Sequence, residues 1–388
     1  MTIAHETADV VVIGGGPAGS ATALDLARAG FHVVQLERRS FGALDSDQWR
    51  SGEALTARTR RALTALDRDL NAPDWERLPV RQMRCYLPYG SSAVAALGPQ
   101  KLLIHVDRTA LDAALFAAAR RAGVDARAGW QVRQFVRTAS GAVCGVLAQA
   151  ETGAMHQIAA PLVIDAGGRN ALALRTFDLR AHLPGVSFFA MSLFFDSVAE
   201  LAEATWEMHL FDPQQLTVLQ LSRVTPGLVR CGLGTTLAAL RAAACDPITF
   251  FWRRVSAAPE LAARLRGSTL VARPYTRAAL GYRARRATHA GLLLAGDAAG
   301  YLNPLFGDGV LRALADGAAA AQTAAAALRS GDCSRRAFAA FERRHTLRTA
   351  RDCVAAAALA LPYRLPGALD MLSRTGGLPG ALLGALLR

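Results

Sequence analysis

Gly14, Gly16 and Gly19 follow the apolar run Val10-Val11-Val12-Ile13 with the spacing G-x-G-x-x-G. Glu37 ends a second short apolar run, His32-Val33-Val34-Gln35-Leu36. In such a pattern the first glycine permits a tight turn, the second lets the backbone approach a pyrophosphate, and the third lets a helix pack closely on a strand. Pro17 and Ala18 lead into the helical pattern Ser20 to Arg28, which closes at Gly30. The start of such a helix attracts negative charge. A carboxylate at the end of the second strand accepts hydrogen bonds from ribose hydroxyls and disfavours a 2′-phosphate. The chemistry is the holding of an adenine dinucleotide, FAD or NAD in preference to NADP.

Two later stretches repeat this logic of a buried strand running into small residues. Leu162-Val163-Ile164-Asp165-Ala166-Gly167-Gly168 is one, and it can return the chain to the first sheet. Gly291-Leu292-Leu293-Leu294-Ala295-Gly296-Asp297-Ala298-Ala299-Gly300 is the other, with Asp297 at its end. Asn303-Pro304-Leu305-Phe306-Gly307-Asp308-Gly309 then leads into an alanine-rich helix through Leu328. Backbone N–H groups at that helix start, with about half a positive charge, suit an anion that develops beside them.

The intervening segments read as follows. Arg50-Ser51-Gly52-Glu53 precedes a helical pattern from Ala54 to Leu66, and Arg81 to Val106 forms an antiparallel excursion. Asp107-Arg108-Thr109 opens an amphipathic helix ending at Gly123, and short strands follow around 124–128, 132–137 and 143–149. Ser187 to Leu237 is a broad antiparallel sheet with one packed and one open face. Trp206 and His209 within it read as core or rim residues. A helix runs from Pro247 to Leu265, and the remainder is helical, ending in the apolar stretch Leu378 to Leu387, a packing helix or a partner contact.

Composition narrows the function classes. The chain has 388 residues, 52% of them hydrophobic and 19% charged, enough for a sizeable core. Its six cysteines are scattered without a C-x-x-C pair, so neither a metal site nor a disulfide framework is expected. The start Met1 to Asp9 lacks the apolar core of a secretion signal, and no apolar run is long enough to span a bilayer. A cytoplasmic location is expected. The formal charge of +13 is almost all arginine, Lys101 being the only lysine. Such a surface is mostly solvated, and it can also attract an acidic partner such as a carrier protein. No basic run is interleaved with aromatics, so nucleic acid is not an expected partner.

Taken together, the first glycine loop, Asp165-Ala166-Gly167-Gly168 and Gly296-Asp297 resemble the FAD-dependent monooxygenases built like p-hydroxybenzoate hydroxylase, with their relatives the flavin halogenases and geranylgeranyl reductases. The resemblance implies that Gly14, Gly16, Pro17, Ala18 and Gly19 hold the pyrophosphate, Glu37 the adenosine ribose, and Arg38 the adenine side. Arg108 would reach the phosphate or ribityl chain, Val132 would meet adenine through its backbone, and Asp297 would bond a ribityl hydroxyl. Pro304, Gly307, Asp308 and Gly309 would lie beside the isoalloxazine. No protein nucleophile is required, so no catalytic acid or base is assigned; Asp308 and Arg223 are the only candidates weighed for such a role.

The resemblance also has departures. Halogenases commonly carry W-x-W-x-I-P in the middle sheet and an active-site lysine; here the matching strand reads Leu216-Thr217-Val218-Leu219-Gln220-Leu221, and Lys101 falls in a hairpin. The flavin segment Tyr301-x-x-Pro304-x-x-Gly307-x-Gly309 has glycine where halogenases tend to have serine. The aromatic Y-x-W-x-F-P run of the reductases is missing as well.

The expected fold is α/β: a Rossmann-type FAD-binding domain (1–80, 107–180 and 277–330), an inserted mixed or antiparallel substrate domain (81–106 and 181–276), and a helical C-terminal region (331–388). The expected activity is hydroxylation of an electron-rich aromatic substrate, free, carrier-bound or protein-bound, through a flavin C4a-hydroperoxide. O₂ would be co-substrate, and electrons would come from NAD(P)H directly or through a separate flavin reductase. Halogenation or reduction on the same fold is the alternative, and a flavoprotein serving as an assembly or maturation partner is the second.

Overall fold

The computed structural model describes residues 3–41, 54–67, 70, 75–86, 92–98, 102–183, 187–211, 216–271, 274–301 and 309–364. Expectations placed on Gly52-Glu53, Lys101, Pro304, Gly307, Asp308 and the apolar stretch 378–387 lie outside the described residues.

Three apolar runs make the centre of the molecule. Val10–Ile13, Leu162–Asp165 and Leu292–Leu294 are buried along their whole length. A strand buried on both faces reads as continuous apolar sequence, which is the mark of a parallel sheet. These strands lie in a six-stranded sheet ordered Thr288–His289, Leu292–Leu294, Leu162–Asp165, Val10–Ile13, Val33–Glu37, Asp125–Ala128. All neighbours are parallel except the first pair. The register sets Ile13 opposite Asp165 and Leu36, and Asp165 opposite Leu294. The three small-residue turns therefore open on one edge, the carboxyl end, where ligands bind in sheets of this kind.

Helix Pro17–Arg28 starts at this edge and packs along strands Val10–Ile13 and Val33–Glu37, and the alanine-rich helix Gly309–Ser330 packs on that helix at small residues. Thr22 Oγ1 donates to the Gly317 carbonyl at 3.1 Å, and a Cβ on Gly317 would sit 2.6 Å from the Ala18 carbonyl oxygen. A four-stranded sheet, Ala4–Thr7, Met155–Ala159, Val143–Gln149 and Gln131–Arg137, flanks the first. Helix Ala339–Arg364 follows the alanine-rich one, joined to it by the ion pairs Arg312–Asp352 and Arg348–Asp316.

The broad antiparallel sheet has eight strands. Its order runs Thr269–Leu270, Phe188–Asp196, Leu228–Thr236, Val218–Thr225, Thr205–Leu210, Gln82–Tyr86, Ser92–Ala96, with Tyr275–Leu280 also pairing to Phe188–Asp196. Side chains alternate between its faces. Phe189, Met191, Leu193, Phe195, Leu219, Leu221, Cys231 and Leu233 form one face. They pack against Phe250, Phe251, Val255, Leu261 and Leu265 of two helices, Pro247–Ser256 and Pro259–Leu265. Each large side chain buried there contributes about 1.5–3 kcal/mol. The opposite face carries the cross-strand row Met83, Trp206, Ser222, Arg230 and Phe194.

Three local expectations change. The helix from Pro247 to Leu265 is two helices, broken before Pro259, because proline lacks an N–H and disfavours helix in the residue before it. Ala54–Thr56 is a strand, and the helix starts only at Ala57, capped by Thr56 Oγ1 accepting from Thr59 N at 3.1 Å. Gln82–Tyr86 pairs antiparallel with Ser92–Ala96 as expected of a hairpin, yet it joins Thr205–Leu210 in parallel.

Candidate cofactor and substrate site

Gly14 turns the chain out of the first strand with φ +104°, and a Cβ there would lie 2.4 Å from the Ala166 carbonyl oxygen. Gly19 is equally constrained, since its Cβ would lie 2.1 Å from the Gly14 carbonyl oxygen. Around Gly16 no described atom lies within 4 Å of an added Cβ. It caps helix Pro17–Arg28 without a side-chain hydrogen bond. The helix start thus offers the N–H groups of Ala18 and Gly19, which have no partner within the helix, to an open space. That cradle fits a pyrophosphate.

A chain of charges runs from the cradle across the top of the sheet. Glu37, buried, accepts from Gly15 N at 2.6 Å through Oε2. Its Oε1 accepts from Arg39 N and Arg39 Nε, both at 2.9 Å. Arg39 Nη1 reaches Asp112 Oδ2 at 3.2 Å, and Arg108 Nη2 reaches Asp112 Oδ1 at 3.1 Å. Arg39 stays protonated despite its burial, because the charges of Asp112 and Glu37 outweigh the desolvation that works against it. Arg38 is exposed. Arg39 and Asp112 were not singled out by sequence reasoning. Asp112, four residues after Arg108 on one helix, was detectable as an i, i+4 ion pair.

The remaining residues divide between this edge and other places. Trp130 N donates to the Glu37 carbonyl at 2.9 Å, which brings the strand containing Val132 to the Glu37 side. Asp165, wholly buried, accepts from Gly167 N at 2.9 Å and Ala173 N at 2.8 Å and so fixes the turn under Gly14. Desolvation pushes its carboxyl up, and those backbone donors pull against it. Asp297 follows Leu292–Leu294, and its carbonyl accepts from the Tyr282 hydroxyl at 2.8 Å. Gly309 begins the alanine-rich helix. Arg223 lies one residue from Ser222 and so turns away from the face carrying Trp206 and Arg230. It holds a strand end through Pro226 O at 2.7 Å and Leu201 O at 3.5 Å.

The sheet face that carries Trp206 and Arg230 packs at its Met208–Leu210 end against Val80, Leu97 and Leu103, and a second polar group from that neighbouring segment borders it. His105, on strand Leu103–Val106, is fully buried, and neither of its ring nitrogens has a hydrogen-bond partner among the described residues. Its ring stacks on Trp206 with centroids 5.6 Å apart. Burial first, then the charge of Arg230, pushes its imidazole down to about 3, so it is neutral at physiological pH. Sequence reasoning passed over His105 as part of the run His105-Val106-Asp107-Arg108, because the residues that surround it come from distant strands.

The fold stays neutral at His105 while the unfolded chain takes up a proton below about 6.5. Stability is therefore unaffected above that value and falls as pH drops from 6.5 towards about 3. The slope reaches at most one proton, ~1.4 kcal/mol per pH unit. His105→Phe should flatten the wild-type loss of unfolding free energy between about pH 6.5 and pH 4. Parallel pH–stability curves for the two proteins would refute this account of His105.

Comparison with known proteins decides the family. Residues 7–353 match the FAD binding domain family. The chain belongs to that family. Within the FAD binding domain family its relatives divide by reaction. The 1H-pyrrole-2-carbonyl-[peptidyl-carrier protein] chlorinase of Pseudomonas fluorescens is 26% identical over 366 residues, 86% of this chain and 79% of that protein. The digeranylgeranylglycerophospholipid reductase of Methanothrix thermoacetophila is 27% identical over 354 residues, 87% of this chain and 82% of that protein. The solved structure of the flavin-dependent brominase Bmp2 superposes with a TM-score of 0.79 at 20% identity, covering 98% of this chain and 93% of that one. The fold is that of an FAD-binding oxidoreductase, and no helix among the described residues is long and apolar enough to cross a membrane.

Proposed function

We propose that the protein is an FAD-dependent monooxygenase that hydroxylates an electron-rich aromatic substrate, held free or on a carrier. The observation that supports this reading is the grouping, on one sheet face, of the Trp206 ring, the Arg230 guanidinium and the neutral His105 imidazole.

In this reading Ala18 N, Gly19 N and the Glu37–Arg39–Asp112–Arg108 chain hold the adenosine and pyrophosphate end of FAD. The chemistry FAD supplies when bound and reduced is activation of O₂. Trp206 gives a ring substrate a flat surface to stack on, while neutral His105 adds no charge beside it. Electrons come from NAD(P)H or a separate reductase. A basic surface of net +13 favours an acidic carrier as the bearer of the substrate. Similarity to the pyrrolyl-carrier chlorinase favours halogenation as the second reading.

Halide dependence separates the readings. FAD-loaded protein supplied with reduced FAD, O₂ and a panel of phenol, indole and pyrrole rings, free and as thioesters, should turn over at the same rate with and without chloride or bromide. Turnover that requires halide would replace hydroxylation by halogenation. Turnover that continues without O₂ would place the protein with the reductases.

A further inference from the structure

Arg230 sits in a seat built for its guanidinium. A Cβ added to Gly232, two residues along the same strand, would lie 2.7 Å from Arg230 Nη2 and 3.0 Å from its Cζ. The guanidinium therefore folds flat over the space that Gly232 leaves. Its Nε donates to Ser192 Oγ at 3.1 Å on the neighbouring strand, and the Trp206 ring centroid lies 6.0 Å from its Cζ. Beyond Gly232 on the same face come Gly234 and its cross-strand neighbour Ala190, so the floor beside the cation is made of small residues.

Two buried polar groups border this floor without a hydrogen-bond partner among the described residues. Ser222 is the cross-strand neighbour of both Arg230 and Trp206, is 1% exposed, and its Oγ has no partner among the described residues. His105 carries two more such atoms. Folded proteins pair nearly all buried polar groups, so a cluster of unmet ones beside a fixed cation points to a ligand that meets them. The other face of the same strands differs in having no such seat for a cation: there Glu207 pairs with Arg264 and Tyr86 stacks on His209 at 4.3 Å, while Glu207 Oε1 and His209 Nε2 have no hydrogen-bond partner among the described residues.

We propose that Arg230 anchors the substrate on this face by pairing with a carbonyl-bearing group attached to a planar aromatic ring, either a free carboxylate or a thioester carbonyl. The planar fork of arginine suits an acceptor oxygen pair, while Trp206 and the small-residue floor accept the ring. Arg230 is a substrate-positioning residue and takes no part in moving protons. The inference rests on this face being the substrate side of the proposed enzyme.

Isothermal titration of the FAD-loaded protein with benzoate, the N-acetylcysteamine thioester of benzoic acid, and benzyl alcohol tests it. At least one carbonyl probe should bind tenfold or more tightly than benzyl alcohol, and Arg230→Gln should erase that margin. Gly232→Ala should erase it too, because the new methyl displaces only the guanidinium, and FAD content checks that each variant is folded. A preference for benzoate identifies free acids as the source, and a preference for the thioester identifies carrier-bound groups. A wild type that binds no carbonyl probe better than benzyl alcohol, or an Arg230→Gln that keeps the margin, overturns the proposal. Failure of the monooxygenase reading would instead show in product mass with the binding margin intact.

Discussion

Gly16→Val should leave the stability of the fold almost unchanged and strip the protein of FAD. Gly16 has an ordinary extended backbone, φ −81° and ψ −176°, which valine adopts readily. An added Cβ meets no described atom within 4 Å. The melting temperature should therefore stay within about 1 °C of wild type, a change of at most ~1 kcal/mol that covers the poorer N-cap. The valine methyls would fill the space in front of Ala18 N and Gly19 N, where the pyrophosphate belongs. Affinity of the apoprotein for FAD should drop at least tenfold, ~1.4 kcal/mol or more. Gly19→Ala gives the opposite pattern, because its methyl would overlap the Gly14 carbonyl and disturb the turn itself. Equal FAD affinity in Gly16→Val and wild type, measured by flavin fluorescence quenching, would remove this cradle from the cofactor site.

Glu37→Ala should lose both stability and FAD. The carboxylate accepts three hydrogen bonds from Gly15 N, Arg39 N and Arg39 Nε. A carboxylate offers about four acceptor positions, so room remains for a ribose hydroxyl. Removal strands a buried backbone N–H at Gly15 and takes one carboxylate from Arg39, leaving that of Asp112. Charge-assisted bonds of this kind contribute about 1.5–3 kcal/mol, and a loss of roughly that size in unfolding free energy is expected. FAD affinity should fall by a similar factor on top of it. Glu37→Gln should recover part of the stability, since the amide oxygen still accepts from Gly15 N. Thermal unfolding and FAD titration of the two variants check both claims, and an FAD affinity unchanged in Glu37→Ala would exclude Glu37 from the ribose contact.

The parts of this molecule that could be read from sequence are those set by local pattern. Continuous apolar runs at Val10–Ile13, Leu162–Asp165 and Leu292–Leu294, each ending in small residues, specify buried parallel strands whatever the rest of the chain does. Alternation between 188 and 236 likewise specifies a sheet with two different faces. What could not be read depends on contacts between distant segments. Arg38 and Arg39 are chemically identical neighbours, and only the turn after Glu37 decides that Arg39 meets Asp112. His105 becomes unusual because Trp206 and Arg230, more than a hundred residues away, close over it. The parallel pairing of Gln82–Tyr86 with Thr205–Leu210 has no local signal at all. Pro259 breaks a run whose apolar periodicity continues on both sides of it, because the missing N–H outweighs that local pattern.

The proposed reaction is tested most directly by the fate of oxygen. FAD-loaded protein, reduced and given ¹⁸O₂ with the same panel of aromatic acids and thioesters, should yield a product heavier by one ¹⁸O atom, with the second oxygen atom released as water. A product that gains a halogen in place of hydrogen, or two hydrogens and no oxygen label, would contradict the monooxygenase account and assign the protein to the chemistry of its halogenase or reductase relatives.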